Sequence, residues 1–329
     1  MKMCMFSSKP YDQKYFSLNK IKDLDISFLS TRLSEETVNL AQGFDIVCCF
    51  VNDNLNAKVL TQLKSLGVQL VALRCAGFNN VDLKTAKKLS LTICRVPEYS
   101  PFAVAEHASA LILDLNRNIH RAHNRIREND YSLDGLLGFD LHGKNVGIIG
   151  FGKIGRVFAK IMNGFGCNVL VFDPYITNEL QHSKLTQVSF DELLRQSDII
   201  SLHCPLTSET HHLINKNSVD SMKNGVMLIN TGRGGLIDTL AIIEGLKSKK
   251  IGYLGLDVYE EESELFFENL SGSFIQDDVF ARLQTFPNVT ITGHQAFFTK
   301  EALTKITETT QSNIINYFAG RIEQSNIVT

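Results

Sequence analysis

Three chemically able side chains each stand just past the end of an apolar run in the second half of this chain. Arg233 lies in Thr231-Gly232-Arg233-Gly234-Gly235, after Val226-Met227-Leu228-Ile229. The acidic run Glu260-Glu261-Glu262 follows Asp257-Val258-Tyr259, after Tyr253-Leu254-Gly255-Leu256. His294 lies in Gly293-His294-Gln295-Ala296, after Val289-Thr290-Ile291. Taken singly, each has a plain structural reading: an arginine in a surface turn, a solvated acidic face, a histidine closing a strand. Together they make a set with one chemistry. A guanidinium between glycines can grip a planar carboxylate with two parallel hydrogen bonds, which a lysine cannot do. An imidazole can pass a proton to a developing alkoxide, and a nearby carboxylate favours its charged form. That is the equipment for reducing a 2-keto acid by hydride transfer.

A hydride donor has a place to bind. Asn145-Val146-Gly147-Ile148-Ile149 runs into Gly150-Phe151-Gly152-Lys153-Ile154-Gly155, a strand followed by G-x-G-x-x-G. The first glycine permits the tight turn, the second lets backbone approach a pyrophosphate, and the third lets helix and strand pack closely. The helix start presents free N–H groups and a partial positive charge to phosphate. A second apolar run, Val169-Leu170-Val171-Phe172, ends on Asp173, 18 residues after Gly155. A carboxylate there accepts hydrogen bonds from adenosine ribose hydroxyls and repels a 2′-phosphate, which predicts NAD rather than NADP.

These residues need a scaffold. A chain of 329 residues suits two domains. β-rich runs alternate with helical stretches throughout, which predicts α/β architecture with parallel sheets. Runs at 145–149, 168–172, 199–202, 226–229, 253–256 and 289–291 give six strands, enough for a doubly wound nucleotide-binding sheet. Because that unit begins near residue 145, the first third must build something else, and runs at 45–51 and 69–73 predict a small α/β unit there. Ser100-Pro101 opens a helical stretch reaching about Arg127, with Val104, Ala108, Leu111 and Leu115 on its buried face. A final helix from Lys300 to about Phe318 follows the last strand and is expected to cross back to the first unit. The predicted arrangement is two Rossmann-like or flavodoxin-like domains with a cleft between them: a discontinuous substrate domain of 1–99 and 297–329, and an NAD-binding domain of 100–296.

Composition narrows the setting. Hydrophobic residues make up 44% and the net charge is −2, which gives no general reason to expect nucleic acid. No apolar run reaches the roughly 20 residues that span a bilayer, and the N-terminus is too short and soon too polar for a secretory signal. Seven cysteines, mostly in apolar runs and without C-x-x-C, predict buried thiols in a reducing cytoplasm and no metal site. His203, His211 and His212 have no second partner at ligand spacing and are read as structural.

The whole chain resembles the D-isomer-specific 2-hydroxyacid dehydrogenase family, and within it closely the fermentative, NAD-dependent, D-lactate-forming members. The motifs that carry the resemblance are Arg74-Cys75-Ala76-Gly77-Phe78-Asn79-Asn80-Val81-Asp82, Arg95-Val96-Pro97-Glu98-Tyr99-Ser100-Pro101, Ala103-Val104-Ala105-Glu106-His107, the glycine motif, His203-Cys204-Pro205-Leu206-Thr207, Asn230-Thr231-Gly232-Arg233-Gly234, Asp257-Val258-Tyr259-Glu260 and Gly293-His294-Gln295-Ala296. The resemblance implies Arg233, Glu262 and His294 as the catalytic residues, with Glu262 chosen among three glutamates by its place after Asp257. It implies Asp257 at the nicotinamide carboxamide, backbone amides of Lys153 and Ile154 at the pyrophosphate, and Cys204-Pro205 at the adenosine edge. Thr231 and Gly232 join Gly150, Gly152, Gly155 and Asp173 as cofactor contacts. Backbone N–H groups of Ala76 and Gly77 would help hold the substrate carboxylate, Tyr99 would line the pocket and Phe297 would wall it. Two positions depart from the pattern: many relatives carry serine at Gly232, and some carry asparagine at Thr210. The expected activity is NADH-dependent reduction of pyruvate to D-lactate by a homo-oligomer, dimer or tetramer. The alternatives are another 2-keto acid, such as 4-methyl-2-oxopentanoate or phenylpyruvate, or an NADH-sensing corepressor-like protein.

Overall fold

Five short parallel strands make the first sheet: β1 (Lys2–Met5), β2 (Asp25–Phe28), β3 (Ile46–Cys49), β4 (Leu70–Leu73) and β5 (Thr92–Cys94), in the order β2-β1-β3-β4-β5. In the computed structural model, which describes residues 1–19, 21–176 and 185–329, every residue of β3 and β4 is buried. Parallel strands covered on both faces read as unbroken apolar runs, which is why these two were visible in the sequence. The cover comes from α1 (Pro10–Leu18), α2 (Ala57–Ser65) and α3 (Leu83–Lys88). Helix α2 shows the local logic. Asn56 caps it by accepting from the Val59 N–H at 3.0 Å, and Val59, Leu60 and Leu63 form its buried stripe.

The second sheet has seven parallel strands: β6 (Asn145–Ile149), β7 (Asn168–Phe172), β8 (Leu185–Gln187), β9 (Ile199–Leu202), β10 (Val226–Asn230), β11 (Ile251–Leu256) and β12 (Val289–Ile291), in the order β12-β11-β10-β9-β6-β7-β8. Its helices are α4 (Pro101–Arg117), α5 (Ile119–Arg127), α6 (Lys153–Gly164), α7 (Phe190–Gln196), α8 (Lys216–Ser221), α9 (Thr239–Lys247) and α10 (Asp278–Gln284). The period-two alternation of strands sorts side chains to two cores. Val146, Ile148, Met227 and Ile229 pack with Ala108, Leu111 and Leu115 of α4. Ile149, Leu228, Leu254 and Leu256 pack on the other face with Leu236, Ile242 and Leu283.

The chain divides into two compact units, Met1–Ser100 with Phe298–Thr329, and Pro101–Phe297. The last helix, α11 (Lys300–Phe318), belongs to the first unit, where its Ile314 joins Met3, Met5, Phe16 and Ile46 in one core. Beyond it the tail adds to the sheet edge: Val328 N–H donates to the Ile93 carbonyl at 2.9 Å, and Cys94 and Ile327 form an antiparallel bridge.

Two expectations need correction. The first sheet holds the two strands visible as long apolar runs and three more, as the expected small α/β unit. The second gains the three-residue edge strand β8. The helix expected from Ser100 to Arg127 is two helices. Asn118 between them adopts a left-handed backbone (φ +51°), and Asp114 takes up both the His120 N–H at 3.0 Å and its Nδ1 at 2.8 Å. Asparagine tolerates that conformation better than most residues, so the break costs little.

Candidate active site

Strands β10, β11 and β12 are neighbours in the sheet, and their register aligns Asn230 with Leu256 and Leu256 with Ile291. The chain therefore leaves the sheet along one edge at Thr231, Asp257 and Thr292, the carboxyl edge where open α/β sheets bind ligands. Arg233, Glu262 and His294 all lie in the segments that follow.

The Arg233 turn is tied from beneath by Asn230, which is fully buried. Its Oδ1 accepts from the Gly232 N–H at 3.0 Å, and its Nδ2 donates to the Arg233 carbonyl at 2.8 Å. The departure from serine at Gly232 thus leaves the turn braced on both sides. Gly234 packs so tightly that a Cβ there would lie 2.1 Å from the Tyr259 carbonyl carbon. Half-buried Arg233 donates from Nη1 to the Gly232 carbonyl at 2.7 Å.

His294 meets Glu262 through Nδ1, 2.8 Å from Oε1, with side chains 16% and 18% exposed. The other Glu262 oxygen accepts from the Tyr259 N–H at 3.0 Å, so the carboxylate is held at both ends. A Phe267 ring lies 5.6 Å from the imidazole centroid. His294 Nε2 has no hydrogen-bond partner among the described residues. The residue takes a left-handed backbone (φ +53°), a costly state for a non-glycine residue that its surroundings must enforce.

Asp257 does that enforcing. It has no exposed surface. Its Oδ1 accepts from Thr292 Oγ1 at 2.5 Å and from the Gln295 N–H at 2.8 Å, and Oδ2 accepts from the Ala296 N–H at 2.8 Å. The Asp257 carbonyl accepts from the His294 N–H at 2.8 Å. From α4, His107 Nε2 comes within 3.0 Å of Thr292 Oγ1 and 3.4 Å of Asp257 Oδ1. Because the threonine proton goes to Asp257, His107 must be the donor to Thr292. A buried carboxylate needs several such donors to offset its lost hydration.

At the other half of the sheet, β6 runs into Gly150, whose φ of +93° suits glycine and where a Cβ would lie 2.4 Å from the Cys204 nitrogen. A Cβ on Gly155 would lie 2.2 Å from the Gly150 carbonyl oxygen, while one on Gly152 would meet nothing within 4 Å. Helix α6 starts at Lys153 and Ile154 with Gly152 as its N-cap and no side-chain cap. Asp173 accepts from the Phe151 N–H at 2.7 Å and the Tyr175 N–H at 2.9 Å. Burial, reinforced by Asp173, pushes the Cys204 thiol up to about 11 and keeps it protonated. Thr231 Oγ1 is buried and has no hydrogen-bond partner among the described residues. Thr210 Oγ1 donates to the Pro205 carbonyl at 2.6 Å and so closes its own loop.

Residues 109–296 match the family described as D-isomer specific 2-hydroxyacid dehydrogenase, NAD binding domain. D-lactate dehydrogenase of Escherichia coli is 50% identical over 329 residues, with both chains covered completely. The chain belongs to the D-isomer specific 2-hydroxyacid dehydrogenase family. Its fold matches the apo structure of the Escherichia coli D-lactate dehydrogenase with a TM-score of 0.91, 48% identity and full coverage of both chains. It also matches D-lactate dehydrogenase from Aquifex aeolicus, complexed with NAD and lactic acid, with a TM-score of 0.88, 33% identity and coverage of 99% and 98%.

For a dehydrogenase of this family, the glycine segment fits a dinucleotide. Open space over Gly152, an α6 start without a side-chain cap and the orphaned Thr231 hydroxyl are all features that a bound phosphate and nicotinamide ribose would satisfy. The expected substrate-holding residues divide between the units. Ala76, Gly77 and Tyr99 are half-buried in the first. There Arg95 Nη1 donates to the Ala76 carbonyl at 2.9 Å, and its guanidinium lies 4.9 Å from the Phe78 ring centroid. Phe297, in the second unit, is 8% exposed. Asp257, expected at the nicotinamide amide, has its carboxylate turned inside; the job visible in the structure is holding the His294 loop. Sequence reasoning missed Asn230, Thr292 and His107, and it left His212 without a partner. His212 Nε2 is in fact 2.6 Å from Glu260 Oε1. These partners lie up to 185 residues apart, so no local spacing announces them.

Proposed function

We propose that this dehydrogenase reduces pyruvate to D-lactate with NADH, and reverses the reaction when NAD and lactate are supplied. The observation that carries the reading is the Glu262–His294 bond through Nδ1, on a sheet edge shared by register with Arg233. When bound, the cofactor supplies the hydride. Arg233 holds the substrate carboxylate as a bidentate partner and orients the keto group. Glu262 accepts from Nδ1–H, which fixes the ring so that Nε2 carries the exchangeable proton. In reduction, cationic His294 gives that proton to the alkoxide oxygen; in oxidation, the neutral ring takes it from the hydroxyl. Reduction therefore uses the protonated ring and oxidation the neutral one.

Asp173 at the end of β7 favours NAD over NADP. Buried Phe297 beside the His294 loop favours a short keto acid. Seven free cysteines, six of them buried, support a reducing cytoplasm, and no helix among the described residues is long and apolar enough to cross a membrane. Exposed Ile119, Ile126, Leu133 and Leu137 support a homo-oligomer. The deciding experiment is a steady-state assay with NADH against pyruvate, 4-methyl-2-oxopentanoate, phenylpyruvate and glyoxylate, with chiral analysis of the product. Pyruvate should give the highest kcat/KM and a D product. A different best acid reassigns the substrate, and tight NADH binding without turnover of any acid replaces catalysis by NADH sensing.

A further inference from the structure

Glu260 stands two residues before Glu262 and was read as part of a solvated acidic face. In the structure it joins three segments. Its Oε1 meets His212 Nε2 at 2.6 Å, and its Oε2 accepts from both the N–H and the hydroxyl of Thr239, the first residue of α9. His212 in turn donates its backbone N–H to the Gly235 carbonyl at 2.8 Å, and its own carbonyl accepts from Asn215 Nδ2 at 3.0 Å. The next residues continue the attachment. Ile214 N–H donates to the Leu236 carbonyl at 3.0 Å and Asp238 N–H to the Ile214 carbonyl at 2.8 Å, with a parallel bridge between Ile214 and Ile237. His211 stacks on His212 at 3.9 Å between centroids. Gly234, on the opposite side of the turn, rests on the Tyr259–Glu260 backbone. The five residues that present Arg233 are thus gripped between the 211–214 segment and the 259–260 segment, and Tyr259 itself donates to Glu262.

We infer that His212 and Glu260 form a clasp that fixes the Arg233 turn relative to the Glu262–His294 pair, so that carboxylate binding and proton transfer act on one bound keto acid. This rests on the roles given above to Arg233 and His294. Both residues of the clasp are positioning residues, since their polar atoms are spent on the protein. A half-exposed pair of this kind adds little to global stability, yet a misplacement of about 1 Å at a reacting group costs on the order of 10²-fold in rate. Its loss should therefore show in catalysis far more than in unfolding.

The test compares His212→Ala, Glu260→Ala, the double variant and Glu260→Gln with the wild type at saturating NADH. The KM for the keto acid the wild type uses best, and the inhibition constant of oxamate, should rise about 10-fold or more in the alanine variants. NADH affinity, read by nicotinamide fluorescence, should stay within about twofold. The double variant should be no worse than the worse single, because the two residues act as one unit. Glu260→Gln keeps an acceptor for Thr239 and should retain most activity. Hydrogen exchange of the 230–237 amides should quicken in the alanine variants, a readout independent of turnover. Should Glu260→Ala fail to fold, His212→Ala carries the same measurements. Unchanged KM, oxamate inhibition and exchange in folded variants would overturn the clasp, as would strictly additive losses. A wild type that turns over no keto acid defeats the function reading instead, and exchange at 230–237 still judges the clasp.

Discussion

Two histidine–glutamate pairs draw their carboxylates from one short segment of this chain, and their difference lies in which ring nitrogen is committed. His294 reaches Glu262 through Nδ1 at 2.8 Å; His212 reaches Glu260 through Nε2 at 2.6 Å. Both histidines take a left-handed backbone, with φ of +53° and +49°. Both glutamates have their second oxygen engaged, Glu262 by the Tyr259 N–H and Glu260 by Thr239. Nδ1 sits near the backbone, so tying it down leaves the distal Nε2 of His294 without a hydrogen-bond partner among the described residues, available for the proton transfer proposed above. Tying down the distal nitrogen of His212 spends its reach on the scaffold. On the roles proposed above, similar chemistry serves as a proton donor in one place and a fastener in the other.

The largest expected effect separates the two pairs at once. His294→Ala removes the proposed proton donor and should lower turnover by about 10²–10⁴ with NADH affinity kept, whereas His212→Ala should act chiefly through KM. Equal losses of turnover in the two variants would erase the distinction. Next in size is the support beneath the first pair. Asp257→Asn keeps the side-chain volume but points an amide N–H at donors from Thr292, Gln295 or Ala296. Losing one buried hydrogen bond of this kind costs about 1–3 kcal/mol, so the melting temperature should fall by several degrees. Turnover should fall in parallel as His294 loses its enforced backbone. A variant melting like the wild type would show that the buried carboxylate is not the anchor of that loop.

Glu262→Gln sharpens the comparison through turnover. Without the carboxylate that accepts from Nδ1 and braces the ring, kcat for pyruvate reduction should fall by about 10-fold or more, part of the roughly 10²–10⁴ that a positioned general acid contributes. Glu260→Gln should keep most of the turnover, because it leaves the Glu262–His294 bond untouched. The kcat of both variants at saturating NADH decides it. Equal losses would mean that the two carboxylates serve the site in the same way.

What the sequence made legible follows from the same geometry. Arg233, His294 and the 260–262 glutamates could be placed on one edge because each follows an apolar strand and parallel strands deliver their ends together; the choice of Glu262 among the three came from the family resemblance. Ile46–Cys49 and Leu70–Leu73 were visible because burial on both faces writes an unbroken apolar run. β2 and β8 were not, since edge strands with half-buried or exposed residues carry no such run. β1, at the chain start, was hidden because its lysine, methionines and cysteine include none of the β-branched or aromatic residues that mark a strand. The break at Asn118 interrupts no hydrophobic pattern, and only the residue type hinted at it. The fastening contacts, His212 to Glu260 and His107 to Thr292, join residues 48 and 185 apart. Pairings at such separations leave no periodicity to read.

The smallest effect concerns a histidine paired with no carboxylate among the described residues. His203 packs its ring 4.8 Å from Phe158 and shares a 2.9 Å hydrogen bond with Ser201 Oγ. Burial lowers its pKa from 6.5 to about 3. Between those values the unfolded chain binds a proton that the folded one refuses, so stability rises with pH across that window. His203 thus contributes its full stabilisation above pH 6.5 and loses it progressively as pH falls toward about 3. Thermal unfolding from about pH 7 down to about pH 4 should therefore be steeper in the wild type than in His203→Gln, which carries no titrating group. Parallel curves would mean that this ring finds water or a counter-charge on acidification. It would then belong with the carboxylate-supported histidines rather than apart from them.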